Sequence, residues 1–295
     1  RPLWSVALTS HGISGRWSPG KLSARKPSVV IAARHHANEV SSTTAAFTLI
    51  EAVQRDRSLL GDASIVLIPV ENPDGVAFHE TLSAAHPFWK HHPARYNAVG
   101  LEYGLHAFNR ATPFGEARVR REAWERWRPQ MVIDNHGVPS HEWSQHFSGF
   151  GSPPRFPVSY WVPQALLYGI IDHIDTPEAE TFGAEVQRAI ARDLAAAGDL
   201  AGINDVLGDR YRRWGAERDP NHFPASYDDS FLCYLRSHPA DPDSRNVGRR
   251  FPATTLLDWV TEVPDETAHG ERLEQTARAH LLANLAAIRV LISRS

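Results

Sequence analysis

Four short apolar runs recur along the chain, and each is bounded by polar residues. They cover residues 28–33, 64–70, 130–137 and 255–263. The first two are continuously apolar after an initial serine and rich in Val and Ile, and the other two have the same character, with polar residues among the apolar ones. Runs of this kind are typical of strands that are covered on both faces of a largely parallel sheet. The pattern therefore predicts four buried strands.

Apolar residues and alanines at helical spacing lie between and after these runs. They predict helices over residues 39–56, 116–127, 177–197 and 265 to the C-terminus. Strands that alternate with helices in this way indicate a three-layer α/β domain. Residues 149–157 and 238–250, rich in glycine, proline or polar residues, are predicted to be loops.

The composition favours an ordinary soluble globular protein. The 295 residues are 42% apolar and 22% charged, which excludes broad disorder and suffices for one large domain. The formal net charge of -3 gives no reason to expect a nucleic-acid partner, and no run approaches the roughly 18 apolar residues that span a bilayer. Because the chain begins at Arg1 without methionine or a signal-like segment, we expect a processed or trimmed chain. The sequence leaves its compartment open between cytoplasmic and exported with the signal removed.

The single cysteine limits the metal chemistry that is available. Cys233 excludes an internal disulfide and a thiolate-rich metal site, so any metal must be held by histidines and carboxylates. Its neighbours in the segment FLCYL are apolar, which favours a packed thiol over a nucleophile.

The first candidate metal ligands lie in the segment ARHHANEVSS, directly after a predicted strand. His36 and Glu39 are separated by two residues on a strand-to-helix turn, where an imidazole nitrogen and a carboxylate oxygen can reach one ion from the same side. Both bind zinc at about 2.0–2.2 Å. His35 competes as a ligand, but the spacing and the alternation of the strand favour His36 and predict that His35 points the other way.

A second histidine ends another predicted strand. His136 closes the apolar run VIDNHG, and functional residues of α/β sheets collect at the carboxyl ends of strands. His141 and His146 lie nearby and remain alternatives as ligands. Two histidines and one glutamate, with water in the fourth position, form a catalytic rather than a structural zinc set.

Further charged residues suggest acid–base chemistry and carboxylate binding. Glu262 lies near the end of a buried strand, where burial of a carboxylate is costly unless it is paired or serves as a general base. Glu266 is the alternative candidate for this role. The planar guanidinium groups of Arg95 and Arg110 match a carboxylate, to which Asn109 can add a hydrogen bond.

Taken in order, these motifs resemble the M14 family of zinc carboxypeptidases. The segments ARHHANEVSS, ENPDG, FNR, DNHG and VTEV occur in the order that the family uses, from about residue 28 to residue 263. The resemblance implies a mixed, mostly parallel central sheet covered by helices. It also implies a single catalytic domain over residues 1–295, with an insertion around 150–250, that hydrolyses the C-terminal peptide bond of a peptide by zinc-activated water.

The same resemblance implies a role for each candidate residue. One zinc ion is held by His36, Glu39 and His136, while Glu262 is the general base and Arg95 polarises the scissile carbonyl.

The resemblance also implies a substrate with a free carboxylate, a peptide or a small amide, whose carboxylate is bound by Asn109 and Arg110. Many members carry an aspartate two residues before this asparagine, where it orients the first zinc histidine. Ala107 occupies that position here, so His36 needs another partner or binds metal less firmly.

Two other functions remain open from the sequence. A zinc amidase or deacylase on the same fold, acting on an N-acyl amino acid or a cell-wall peptide, uses the same ligand set. A metal-binding or carbohydrate-binding module that has lost catalysis is suggested by Ala107 and the nine tryptophans. Such a module has no reason to keep all four of the candidate residues Arg95, Asn109, Arg110 and Glu262.

Overall fold

A central β-sheet organises the chain. The computed structural model describes residues 1–10, 16–138, 144–145, 160–161, 165–214, 226–228 and 231–294. Its strands are β1 (Val6–Thr9), β2 (Ser28–Ala33), β3 (Ser64–Ile68), β4 (Met131–Val138), β5 (Ser144–Gln145), β6 (Tyr160–Trp161), β7 (Tyr168–Ile174), β8 (Ser226–Asp228), β9 (Phe231–His238) and β10 (Leu257–Pro264). In the described residues, eight of them form one sheet in the order β1-β3-β2-β4-β10-β7-β9-β8, while β5 and β6 pair separately.

Helices connect the strands. They are α1 (Pro19–Arg25), α2 (Ser41–Arg55), α3 (Pro73–Ala85), α4 (Gly115–Trp127), α5 (Pro177–Ala195), α6 (Asp199–Trp214), α7 (Val247–Arg250) and α8 (Glu271–Ser293). Short 3-10 helices cover Arg57–Leu60, His92–Arg95 and Tyr103–His106.

The sheet is covered on both faces. Helices α2, α5 and α8 pack on one face around a core that includes Leu49, Trp259 and Ile288. Helix α4 packs against β2 and β3 on the other face, where Ala123 belongs to a buried cluster with Val30, Val66 and Ile68. Burial of each large apolar side chain contributes about 1.5–3 kcal/mol, so both faces contribute to stability. The arrangement is the predicted three-layer sandwich.

The four predicted strands are the central part of the sheet. Strands β3, β2, β4 and β10 are adjacent and mutually parallel, as their apolar runs predict. Strands β1, β7 and β8 are antiparallel to a neighbour, which makes the sheet mixed. The helix predicted from residue 265 begins at Glu271, because Gly270 has a φ of 53° and interrupts the helical conformation.

The region from residue 150 to 250 contributes to the same sheet. Strands β7 and β9, together with helices α5 and α6, come from its described part. The predicted loop at 149–157 lies outside the described residues, and the one at 238–250 ends in the short helix α7. The prediction of a single domain with an insertion stays a prediction. Among the described helices, none combines the length and the apolar character that crossing a bilayer requires.

Candidate metal centre

The candidate ligands meet at the carboxyl ends of three adjacent parallel strands. His36 and Glu39 follow β2, and His136 lies near the end of β4, which pairs with β2. Glu262 lies in β10, opposite His136 in the register of the β10–β4 pair. Parallel strands bring residues distant in sequence to one edge of the sheet, so the fold itself assembles this cluster.

A tight turn after β2 brings the first two ligands together. The carbonyl of His36 accepts a hydrogen bond from the amide of Glu39 at 3.1 Å. Arg34 has a φ of 61°, and its amide donates to the hydroxyl of Ser42 at 3.0 Å. The chain therefore leaves the extended conformation before it reaches the two histidines.

This turn also explains why one prediction for the histidine pair is wrong. The alternation of the strand predicts that His35 points away from His36. Its ring centroid instead lies 4.5 Å from that of His36 and 5.3 Å from that of His136. The alternation ends at Ala33 because Arg34 is in the left-handed region, so His35 joins the same cluster.

The ligand atoms of His36, Glu39 and His136 converge. His36 Nδ1 lies 2.7 Å from Glu39 Oε1, and His136 Nδ1 lies 3.1 Å from Glu39 Oε2. The three residues offer ligand atoms that all lie within 4.8 Å of one another. Two imidazole nitrogens and a carboxylate in this arrangement fit a zinc ion and leave a fourth position for water.

The charges of these groups depend on one another. Burial alone raises the pKa of Glu39, but His36 and His136 outweigh it and hold this pKa well below the ordinary value. Burial lowers the pKa of His136, yet Asp134 and Glu39 outweigh it and raise this pKa well above 6.5. Metal binding at His136 therefore has to displace a proton.

A network of buried charged residues contacts the ring nitrogen of His136 that does not face Glu39. Its Nε2 lies 3.0 Å from Asp134 Oδ2, which accepts a hydrogen bond from Arg120 at 2.7 Å. Arg120 also donates to both carboxylate oxygens of Glu71. The candidates from the sequence do not include Asp134, Arg120 or Glu71. Two of them nevertheless lie within the family motifs, Asp134 in DNHG and Glu71 in ENPDG.

Glu102 contacts His36, the other candidate histidine ligand. Its Oε2 lies 3.1 Å from His36 Nε2, and its Oε1 lies 2.8 Å from His35 Nε2. Ala107, which lacks a carboxyl group, cannot take this position. No pattern in the sequence pointed to Glu102, because it precedes a 3-10 helix outside the recognised motifs.

The motif ENPDG positions Arg95. Asn72 begins helix α3 by accepting a hydrogen bond from the Gly75 amide at 2.9 Å, and it donates to the carbonyl of Tyr96 at 3.0 Å. Arg95 Nη1 donates to Glu39 Oε1 at 2.9 Å, and the side chain is 28% exposed. The structure thus brings Arg95 to the cluster.

Glu262 and Glu266 both lie near the ligands. Burial raises the pKa of Glu262 well above its ordinary value, although His136 and Arg95 lower it, and its Oε2 is buried without a hydrogen-bond partner. Burial and the charge of Glu39 raise the pKa of Glu266 to about 8. The raised pKa values favour the protonated form of both carboxyl groups. Glu266 therefore remains an alternative to Glu262 as the general base.

The structure does not bring Asn109 and Arg110 to the cluster. Arg110 donates to Glu125 of α4 at 2.8 Å, and its side chain is 82% exposed. The Asn109 side chain accepts from the amide of Ala111 at 3.0 Å. Their role in substrate binding stays a prediction, and the alternative ligands His141 and His146 lie outside the described residues.

Comparison with known proteins confirms the resemblance. Residues 1–122, fewer than half of the chain, match the sequence model of the zinc carboxypeptidase family, peptidase M14. No curated protein matches the chain.

Among solved structures, a metallo-carboxypeptidase from Pseudomonas aeruginosa in complex with (2-guanidinoethylmercapto)succinic acid is similar, with a TM-score of 0.54 and 16% identity over 99% of this chain and 61% of its own. A metallo-carboxypeptidase from Burkholderia cenocepacia is similar with a TM-score of 0.52 and 17% sequence identity, and the match covers 100% of this chain and 62% of that protein. For the carboxypeptidase A from Helicoverpa armigera the TM-score is 0.50 and the sequence identity 11%, and the match covers 99% of this chain and 65% of that protein. The chain thus spans about three fifths of the two bacterial proteins. These likenesses show the zinc carboxypeptidase fold.

Proposed function

We propose that the chain is a zinc-dependent metallocarboxypeptidase that hydrolyses the C-terminal peptide bond of a peptide, with one zinc ion held by His36, Glu39 and His136. The observation that carries the proposal is the convergence of these three ligand atoms within 4.8 Å of one another. Glu262 and Arg95 complete the set at the same ends of the strands.

Glu262 is the general base in this proposal. Zinc at the three ligands lowers the pKa of water and polarises a carbonyl. The raised pKa of Glu262 suits a group that accepts a proton from the attacking water and then gives it to the leaving amine. Its unpartnered Oε2 is free to make that contact.

Arg95 stabilises the oxyanion. Burial lowers its pKa, but Glu39, Glu266 and other carboxylates outweigh that effect, so the guanidinium stays charged. A fixed positive charge beside the ligands is the kind of group that stabilises a developing negative oxygen.

The substrate is a peptide or a small amide with a free carboxylate, bound by Asn109 and Arg110. This role requires Arg110 to leave Glu125, since the two are ion-paired in the present structure. A structural neighbour is in complex with a succinic acid derivative, which supports a carboxylate-bearing substrate.

The placement of Arg110 favours one second candidate. A zinc amidase or deacylase that does not use Arg110 fits the same ligands, because metal chemistry does not identify the substrate.

A substrate comparison separates the two functions. The zinc-loaded protein is assayed with peptides that carry free or amidated C-termini and with N-acyl amino acids, and the chelator-treated protein is the control. A carboxypeptidase cleaves the free peptides at least about tenfold faster than the amidated ones, since the carboxylate contact is lost. Equal cleavage of both, or cleavage of N-acyl amino acids alone, contradicts the proposal.

A further inference from the structure

The two ring nitrogens of His36 have different partners. Its Nδ1 faces Glu39 at 2.7 Å, on the side where the ligand atoms converge, while its Nε2 lies 3.1 Å from Glu102 Oε2. A metal-binding imidazole nitrogen must be unprotonated, so the opposite nitrogen carries the proton and needs an acceptor. The carboxylate of Glu102 is that acceptor.

Glu102 is itself held in place. Its second oxygen lies 2.8 Å from His35 Nε2, so one carboxylate bridges two imidazoles. The carbonyl of His35 accepts a hydrogen bond from the Tyr103 hydroxyl at 2.9 Å. A Cβ on Gly104 would lie 2.8 Å from His35 Cε1, so only glycine lets the 3-10 helix approach this ring so closely.

We propose that Glu102, held by His35, is the positioning residue that fixes the tautomer and orientation of the metal ligand His36 in this chain. The inference rests on the proposed zinc site. Glu102 comes from the segment before the 3-10 helix Tyr103–His106, and its side chain is 19% exposed, so the contact lies at the edge of the buried cluster. Partners of this kind typically change metal affinity by about 10–100-fold.

A second cation between His35, His36 and Glu102 is the competing use of the same atoms, since these residues also offer ligand atoms within 4.8 Å of one another. It would require His36 to give both ring nitrogens to metals and to lose its last proton. A hydrogen bond from His36 Nε2 to Glu102 needs no such deprotonation. The distances of 2.8 and 3.1 Å from Glu102 to the two imidazoles are those of hydrogen bonds and favour this arrangement.

The test is the affinity of the metal-free protein for zinc, measured by competition with a chromophoric chelator. Glu102→Gln keeps the size of the side chain, but its one amide oxygen can accept from a single imidazole. We expect zinc to bind about 10–100-fold more weakly to this variant and more weakly still to Glu102→Ala. Glu262→Gln is the matched control: it also replaces a carboxyl with an amide in the cluster, and its zinc affinity should be unchanged.

Nuclear magnetic resonance of the zinc-loaded wild-type protein tests the tautomer without any variant. A slowly exchanging Nε2 proton on His36 is expected, and it should exchange rapidly in Glu102→Ala. Unchanged affinity in both Glu102 variants, a rapidly exchanging proton in the wild type, or two bound zinc ions of which His35→Gln loses one would overturn the inference. If the wild type binds no zinc at these residues, the proposed function itself fails, which is a distinct result.

Discussion

Glu262 lies opposite His136 in the parallel pairing of β10 with β4. Residues in register on neighbouring strands project from the same face of a sheet, so the carboxylate is directed to the side on which His136 faces Glu39. This relationship places a carboxyl group of raised pKa beside the candidate metal ligands without making it one of them.

Glu262→Gln should abolish most hydrolysis while zinc stays bound. The amide cannot accept a proton, and loss of a general base typically costs about 10²–10⁴-fold in rate. The measurement is kcat together with zinc content, with Glu266→Gln as the matched variant. Full activity of Glu262→Gln would remove Glu262 from this role, and a large loss in Glu266→Gln alone would transfer the role to Glu266.

Arg110→Ala should weaken the cleavage of peptides with a free C-terminus. A charge-assisted hydrogen bond is worth about 1.5–3 kcal/mol, so kcat/KM should fall roughly 10–100-fold for these peptides and little for amidated ones. Arg55→Ala is the control, because Arg55 is another exposed arginine paired with a glutamate. Equal losses on both classes of peptide would count against a carboxypeptidase.

Gly75→Ala should destabilise the segment that carries Arg95. A Cβ at this position would lie 2.7 Å from the carbonyl of Ala94 and 2.8 Å from the Ala37 Cβ. Overpacking of this kind costs about 1–3 kcal/mol, which denaturant unfolding measures. Gly20→Ala, with no atom within 4 Å of the added Cβ, should leave the free energy of unfolding unchanged or slightly higher. Equal stabilities of the two variants would contradict the close packing at Gly75.

Asp258→Asn should flatten the dependence of stability on pH. Burial, with a contribution from Asp172, raises the pKa of Asp258 to about 7. The folded protein then keeps a proton that the unfolded chain releases near pH 4, so this group lowers the free energy of unfolding as the pH rises from about 4 to 7. The amide oxygen of the introduced asparagine can still accept the hydrogen bond that the Val247 amide donates to Asp258 at 2.8 Å.

Urea unfolding at several pH values measures this effect. The Asp258→Asn variant should match the wild type near pH 4 and exceed it by more than about 1 kcal/mol at pH 8. The exposed Asp243, changed to asparagine, provides the comparison. Parallel pH profiles for wild type and Asp258→Asn would show that the carboxyl is ionised in the folded protein.

The sequence was most informative where the pattern of apolar residues sets the structure. The runs at 28–33, 64–70, 130–137 and 255–263 became the four central parallel strands, because the apolar residues of each run fill the core that the helices cover. Since His36 and His136 follow or end two of these strands, their meeting at one edge was predictable.

Local backbone conformation and distant contacts were not predictable in this way. The positive φ of Arg34 reversed the expected direction of His35, and no periodicity signals such a residue. Glu102 reaches His36 across 66 residues of chain, from a segment without a strand or a motif. The ion pair of Arg110 with Glu125 likewise depends on how α4 packs, which spacing along the chain does not fix.

Anomalous X-ray scattering at the zinc absorption edge, from crystals of the purified protein, locates the metal independently of any activity assay. A single zinc peak is expected about 2.0–2.2 Å from His36 Nδ1, the Glu39 carboxylate and His136 Nδ1, and it should be absent from crystals of His136→Ala. A zinc-saturated crystal without a peak at these three residues, or with the ion held by other side chains, would show that they do not form the metal site.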